Sequence, residues 1–254
     1  MEKLFLVSFA RDTRHVYRKI AELEALGIPY RVVCGERLEH PNVMYRPPNG
    51  KYDAINFVAD FIPETACIVI MNDVDTKIHN LHLALQCLND ERVALVFGTE
   101  MVKEGPQNLF FRMLNPIRKR IPIAGSGELL LVRRSVLDRI LPLKRCKAED
   151  TYILFKVLEQ GHKIAFCEEC YAETERTKTP EKEEEYKRRT VAGIYQALSY
   201  TSPPPLIRVF YALLPFSSPL LLFLGKRGYF WMKGILFGFL DYLRGDRSGT
   251  WQSI

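Results

Sequence analysis

The chain has 254 residues, 47% of them hydrophobic, and its 36 Lys and Arg outweigh 30 Asp and Glu to give a formal net charge of +6. That is the composition of a globular protein with a sizeable core, long enough for one large domain or one domain and an appendage. The moderate positive charge points to an anionic partner, nucleotide phosphate or anionic lipid, and with no Arg/Lys-rich tail or nucleic-acid motif no nucleic-acid partner is expected.

Met1-Glu2-Lys3-Leu4 leads straight into a strand pattern without a signal-peptide signature, so the expected compartment is the cytosol. Leu4 to Ser8 reads as a first strand. Asp12 or Thr13 can cap a helix with Val16, Ile20 and Leu23 on its apolar face and Gly27 as its stop. Tyr30 to Cys34 reads as a second strand, and Asn49-Gly50 as a turn. A helix from Lys51 carries Tyr52, Ile55, Val58 and Ile62 on one face.

The next run, Cys67-Ile68-Val69-Ile70-Met71, is continuously apolar, as in a strand buried on both faces. It leads into Asp73-Val74-Asp75. Buried charge is costly unless paired or bound to metal, so these carboxylates belong just past the strand's carboxyl end, where open α/β sheets place ligands. Residues i and i+2 of extended chain point the same way, and two such carboxylates can hold one hard divalent cation. A solvated turn with helix-capping Asp residues accounts for the same spacing.

A helix near Leu81–Leu88 and a strand at Val93–Phe97 follow. This β-α alternation predicts an α/β domain with a mainly parallel sheet flanked by helices. Asn108–Arg120 combines Leu109, Phe110, Phe111, Met113, Leu114 and Ile117 with Arg112, Arg118, Lys119 and Arg120. It reads as a surface helix with a core face or as a basic amphipathic segment on anionic lipid. Gly125-Ser126-Gly127 precedes a strand at Leu129–Val132, Glu149-Asp150 opens a helix, and Lys163–Cys167 is a further strand. Thr179-Pro180 starts a charged helix.

Pro203-Pro204-Pro205 is a stiff boundary that divides the chain into 1–201 and 202–254. Beyond it Leu206–Leu224 is strongly apolar but broken by Pro215 and Pro219, and Tyr229–Leu243 holds Lys233 and Asp241. Trp231, Tyr229 and Tyr242, with Lys226, Arg227 and Arg244, suit a water–lipid interface. Two helices lying in one leaflet are expected, against the alternative that they pack on the domain. Of six cysteines only Cys167 and Cys170 have ligand-like spacing. No second pair completes a zinc site, so a coincidence at a strand end is expected.

Together these blocks resemble the family 2 glycosyltransferases, which have a GT-A fold. Gly50-Lys51-Tyr52-Asp53-Ala54-Ile55-Asn56 is similar to the family's Gly-Lys-x-x-Ala-Leu-Asn element. Asp73-Val74-Asp75 is similar to its metal motif, Gly125-Ser126-Gly127 through Arg134 to its acceptor-wall strand, and Glu149-Asp150-Thr151 to the acidic pair of its acceptor helix. The resemblance covers about Met1 to Tyr200. It implies an inverting glycosyltransferase that uses a nucleotide-diphosphate sugar and a divalent cation (Mg2+ or Mn2+). The apolar C-terminal segment motivates the further expectation of a membrane-associated member at the cytoplasmic face of the cell membrane, with a lipid-linked or glycan acceptor. The resemblance implies Asp150 as general base with Glu149 positioning it, and Asp75 on the metal with Asp73 on the same metal or the ribose. Ser8, Arg11, Glu36, Lys51, Asp53 and Arg189 would bind the donor.

Two departures stand out. Glu36 occupies the place of the family's base-reading Asp. Of the Gln-x-x-Arg-Trp element of polysaccharide-making relatives only Arg189 remains, with Tyr186 and Thr190 at the flanking positions, which counts against processive synthesis. A nucleotidyltransferase is a second reading, but Ser8-Phe9-Ala10-Arg11-Asp12 lacks the Gly-rich loop it needs. A non-catalytic membrane-docking protein is a third, against which the retained Asp75 and Asp150 count.

Overall fold

The computed structural model describes residues 3–103, 108–174 and 179–245. Met1, Glu2, the side chains of Leu109, Phe110 and Phe111, and residues 246–254 of the C-terminal segment lie outside the described residues.

The elements in chain order are β1 (Leu4–Ala10), α1 (Val16–Leu26), β2 (Tyr30–Cys34), β3 (Val43–Tyr45), α2 (Lys51–Ala59), β4 (Ile68–Asp73), β5 (Thr76–His79) and α3 (Leu81–Cys87). There follow β6 (Val93–Val102), α4 (Asn108–Arg120), β7 (Leu129–Arg133), α5 (Arg134–Ile140), α6 (Glu149–Glu159), β8 (Lys163–Thr174) and α7 (Pro180–Tyr200). The chain closes with α8 (Pro205–Ser217), a 3-10 stretch (Ser218–Leu224) and α9 (Gly225–Leu243).

One eight-stranded sheet runs β3-β2-β1-β4-β7-β6-β8-β5. It is parallel from β3 to β4, as the β-α alternation predicts. It turns mixed where β7 enters antiparallel to both β4 and β6. An apolar run carries no direction, so the sequence signals β7 as a strand but not its sense. The short strands β3 and β5 were not anticipated; β5 pairs antiparallel with β8.

Both sheet faces are covered, which is why β4 reads as a continuous apolar run. Alternate residues divide between two cores. Val69 and Met71 join Phe5, Val7, Ile55, Leu130, Ile153 and Phe155 on one face. Ile68 and Ile70 join Leu6, Val16, Ile20, Leu23 and Leu131 on the other. The period of two therefore sends Asp73 towards the face of α2 and α6, and Asn72 towards the face of α1.

Cys167 and Cys170 fall in mid-strand, not at a strand end. The β6–β8 register jumps between Gly98↔Cys167 and Thr99↔Tyr171, so residues 168–170 form a bulge in β8. Both cysteines are buried and free, and no group of three or more His, Cys, Asp or Glu that could hold a metal occurs among the described residues.

The C-terminal helices share the domain's core. Ile207, Tyr211 and Ile235 belong to the same cluster as the β1–β4 face, and the Tyr211 hydroxyl donates to the Ile123 carbonyl at 2.6 Å. α9 lies along α7 on a seam of small residues. A Cβ on Gly234 would stand 2.7 Å from the Glu184 carbonyl oxygen, and one on Gly238 would collide with that of Arg188. Arg188 Nη2 meets Asp241 Oδ1 at 2.8 Å, and Lys233 meets Glu184 at 2.9 Å. Trp231, expected at a water–lipid interface, is only 6% exposed and carries the Lys187 ammonium 3.9 Å from its ring centroid. The apolar surface lies elsewhere: Leu213, Phe216 (79% exposed), Leu220 and Phe223 (88%) on α8 and the 3-10 stretch face outwards. The helical run Pro205–Leu243 reaches a mean hydropathy of 1.7 over 18 residues, long and apolar enough to cross a membrane by length and composition.

Candidate active site

A cavity of about 790 Å³ opens at the carboxyl ends of β1, β2 and β4. The β1–α1 turn supplies Arg11, Asp12, Arg14 and His15, and the approach to α2 supplies Arg46, Pro47, Pro48 and Lys51. β4 ends there in Asp73-Val74-Asp75. The opposite wall is Gly127, the start of α6 with Lys147, Glu149 and Asp150, and one face of α7 with Lys182, Tyr186, Arg189 and Thr190. Four of the segments singled out in the sequence thus converge on one space.

Lys51 ties the two walls together. Its ammonium lies 2.6 Å from Asp73 Oδ1, donates to the Gly127 carbonyl at 2.7 Å and stands 3.6 Å from Glu149 Oε1. Burial alone would pull its pKa down, but the charges of Asp73 and Glu149 hold it above the ordinary lysine value. Expected as a counter-charge for phosphate, Lys51 here neutralises carboxylates. Glu149 is almost fully buried, and burial pushes its pKa up to about 8, against the opposing pull of Lys51 and with the Asp150 charge adding to the rise. Asp150 is only partly buried, and its pKa too is raised by burial, opposed by the Thr151 amide at the helix start. Asp73 is raised by burial and held back by Lys51.

Close backbone packing sets the start of α6. Gly193 in α7 abuts the peptide before Glu149, where a Cβ would stand 2.7 Å from the Ala148 nitrogen. The Lys147 N–H donates to Gln196 Oε1 at 2.9 Å, and the Cys146 thiol to the Gly193 carbonyl at 3.3 Å. A Cβ on Gly125 would press on the Asp150 carbonyl at 3.0 Å.

Other predicted residues stand further off. Ser8 is fully buried in register with Asn72, on the α1 face of the sheet, and does not line the cavity. Glu36 accepts from the Thr13 N–H at 3.1 Å and hydroxyl at 3.0 Å, ahead of α1, while its neighbour Gly35 lines the cavity. Asp53 forms a forked pair with Arg46 at 2.6 and 2.8 Å, so it is Arg46 that reaches the cavity. That pairing holds the Asp53 carboxyl below the ordinary range. Arg11 and Arg189 do line the cavity, and the Arg189 guanidinium lies 5.1 Å from the Tyr186 ring centroid. Arg46, Lys147 and Gln196 were missed because each sits outside a recognisable motif. Lys19 was missed although its position signals it: it occupies the apolar stripe between Val16 and Leu23.

Asp73 and Asp75 offer hard oxygen donors on one cavity wall. Two carboxylates are too few to enclose a cation, which fits a Mg2+-type ion whose shell is completed by water and substrate phosphate.

No protein-family model matches the sequence, and no curated protein sequence matches it. Solved structures do match its fold. The mannosyltransferase PcManGT from Pyrobaculum calidifontis, in complex with GDP-Man and Mn2+, superposes with a TM-score of 0.73 at 14% identity, over 96% of this chain and 88% of that one. S. aureus TarS (residues 1–349) gives 0.55 at 13% identity over 97% and 92%. M. tuberculosis glucosyl-3-phosphoglycerate synthase gives 0.51 at 15% identity over 80% and 82%. The chain therefore has the GT-A fold, with an apolar C-terminal helical segment.

Proposed function

We propose that this chain is an inverting glycosyltransferase that moves a sugar from a nucleotide-diphosphate sugar to an acceptor hydroxyl. The observation that carries this reading is one cavity of a GT-A fold in which a strand-end pair, Asp73 and Asp75, faces a helix-start pair, Glu149 and Asp150, across a shared lysine.

In this reading the acceptor oxygen attacks the anomeric carbon as its bond to the diphosphate oxygen breaks. The hydroxyl proton passes to the Asp150 carboxylate, whose raised pKa brings it closer to the operating pH. Burial shifts Glu149 beside it in the same direction, which favours its neutral form and eases the crowding of two adjacent negative charges. Arg11 and Arg189 supply positive charge on the cavity wall for the diphosphate, together with Lys51 once substrate competes for it. A divalent cation, Mg2+ or Mn2+, held by Asp75 with Asp73 would neutralise the charge that builds on the leaving diphosphate.

The acceptor is lipid-linked in this proposal, and the outward apolar face of α8 and the 3-10 stretch rests on the cytoplasmic face of the membrane. Phe216, Leu220 and Phe223 form an outward apolar tip next to Lys226, a pattern suited to an interfacial segment over anionic lipid.

Thermal stabilisation by a panel of nucleotide sugars in Mn2+ tests the donor site, since a ligand of the folded state raises stability by mass action. One nucleotide sugar should stabilise the chain and release nucleoside diphosphate; full activity in excess EDTA would exclude the metal. Flotation with anionic liposomes tests the surface. Truncation is unsuited because Ile207, Tyr211 and Ile235 help build the core. The Phe216→Asp/Phe223→Asp variant, changed only at exposed positions, should fold and stay at the bottom of the gradient; if it floats, that surface is not the contact.

A further inference from the structure

We infer that Lys19 is a positioning residue for the turn bearing Asp73 and Asp75, clamping both ends of that turn from beneath and thereby setting how the two carboxylates meet a hard cation. This rests on the metal role proposed for that turn.

Lys19 is 1% exposed, on the buried stripe of α1. An ammonium has three N–H donors, and here three acceptors meet it: Asn72 Oδ1 at 2.6 Å, the Thr76 carbonyl at 2.6 Å and Glu22 Oε2 at 2.9 Å. Asn72 immediately precedes Asp73, and Thr76 immediately follows Asp75. The other Glu22 oxygen accepts from the Ile78 N–H at 2.8 Å, so the Lys19–Glu22 pair grips the chain on both sides of the turn and again in β5. Within the turn the Asn72 amide donates to Thr76 Oγ1 at 2.8 Å and also to the Glu128 carbonyl, while the Thr76 hydroxyl donates to the Asp73 carbonyl at 2.8 Å. The network thus reaches the backbone of a candidate ligand, while Lys19, Glu22, Asn72 and Thr76 themselves do not line the cavity.

Stability alone does not account for a cation here. A buried ion pair is often matched or bettered by apolar side chains of similar volume, and Val16, Ile20 and Leu23 show that this stripe accepts them. What an apolar residue cannot supply is directional attachment of residues 72 and 76, or positive charge below two adjacent carboxylates. Burial pulls the Lys19 pKa down, while Glu22 first, then Asp73 and Asp75, support its charged form.

The test compares wild type, Asp75→Asn, Lys19→Met and the Lys19→Met/Glu22→Gln double variant as full chains. The double variant leaves no uncompensated buried charge, so it is the one expected to fold, with a melting midpoint lowered only by the loss of the donors to Asn72 Oδ1 and the Thr76 carbonyl. Mn2+ binding is read by electron paramagnetic resonance, with Mn2+ alone and with added UDP or GDP. The expected result is Mn2+ affinity roughly 10–100-fold weaker in the double variant, the usual scale for groups that orient metal ligands. In turnover the Mn2+ concentration for half-maximal rate should rise while saturating Mn2+ restores kcat, a split that a purely structural role would not produce. A folded double variant with wild-type Mn2+ affinity overturns this inference alone. Wild type that takes up no more Mn2+ than Asp75→Asn overturns the metal reading, and this inference with it.

Discussion

Two carboxylate pairs face each other across the cavity, and they are held by different means. Asp73 and Asp75 stand on a turn tied down by a buried charged network through Lys19, Glu22, Asn72 and Thr76. Glu149 and Asp150 stand on a helix start located by backbone contact, where Gly193 and Gly125 leave no room for a side chain. The first wall depends on charge and direction, the second on volume. A neutral isostere should therefore disturb the first, and a single methyl group the second.

The largest effect expected on the second wall is chemical. Asp150→Asn should lower turnover on the order of 10²–10⁴-fold, the usual range for a general base, while leaving nucleotide binding intact by calorimetry. Unchanged turnover would remove Asp150 from that role. Gly193→Ala comes next. Helix preference favours Ala by about 1 kcal/mol. The added methyl would nonetheless stand 2.7 Å from the Ala148 nitrogen and 2.9 Å from its Cβ, and overpacking costs about 1–3 kcal/mol. Urea melts should show net destabilisation, with kcat lowered and Mn2+ affinity unchanged. A simultaneous loss of Mn2+ affinity would mean that the Lys51 tie between the walls transmits the shift to Asp73.

A pH effect sharpens the contrast further. Burial holds Glu149 at about 8, against an ordinary 4.5. Between those values the native chain keeps a proton that the unfolded chain has released, so stability falls as pH rises through that window. Glu149→Gln is neutral throughout, and its urea melts without metal should lose that downward slope; a slope identical to wild type would mean that Glu149 is already ionised. The smallest effect belongs to Asp241→Asn, which breaks the Arg188 pair on the seam between α7 and α9. The arginine is half exposed, and such pairs contribute about 0.2–1 kcal/mol. A much larger loss in melts would show that charge also supports the second wall, which would break the comparison.

Much of the first wall was legible in the sequence, because a buried parallel strand that ends in acidic residues must set them where a ligand or a counter-charge can meet them. The order of the motifs also foreshadowed the fold. What stayed hidden was long-range partnership. Nothing local ties Lys19 to Asn72, 53 positions away, or turns Glu36 onto Thr13. The direction of β7 was unreadable because Leu129–Val132 would look the same either way. Trp231 and Tyr229 share a helix and an amphipathic character, yet the seam on α7 buries only the tryptophan, since Gly234 and Gly238 let the two helices close. Membrane-like composition at that position thus doubled as core.

The alternation along β4 has an evolutionary corollary. Asn72 and Asp73 serve opposite sides of one ribbon, so a single inserted or deleted residue between Cys67 and Asp73 would hand each the other's task. Loops on the same chain can drift in length, but here spacing is under the same constraint as identity. Natural variants of this chain should therefore keep the number of residues from Ile68 to Asp73 as strictly as they keep Asn72 and Asp73 themselves.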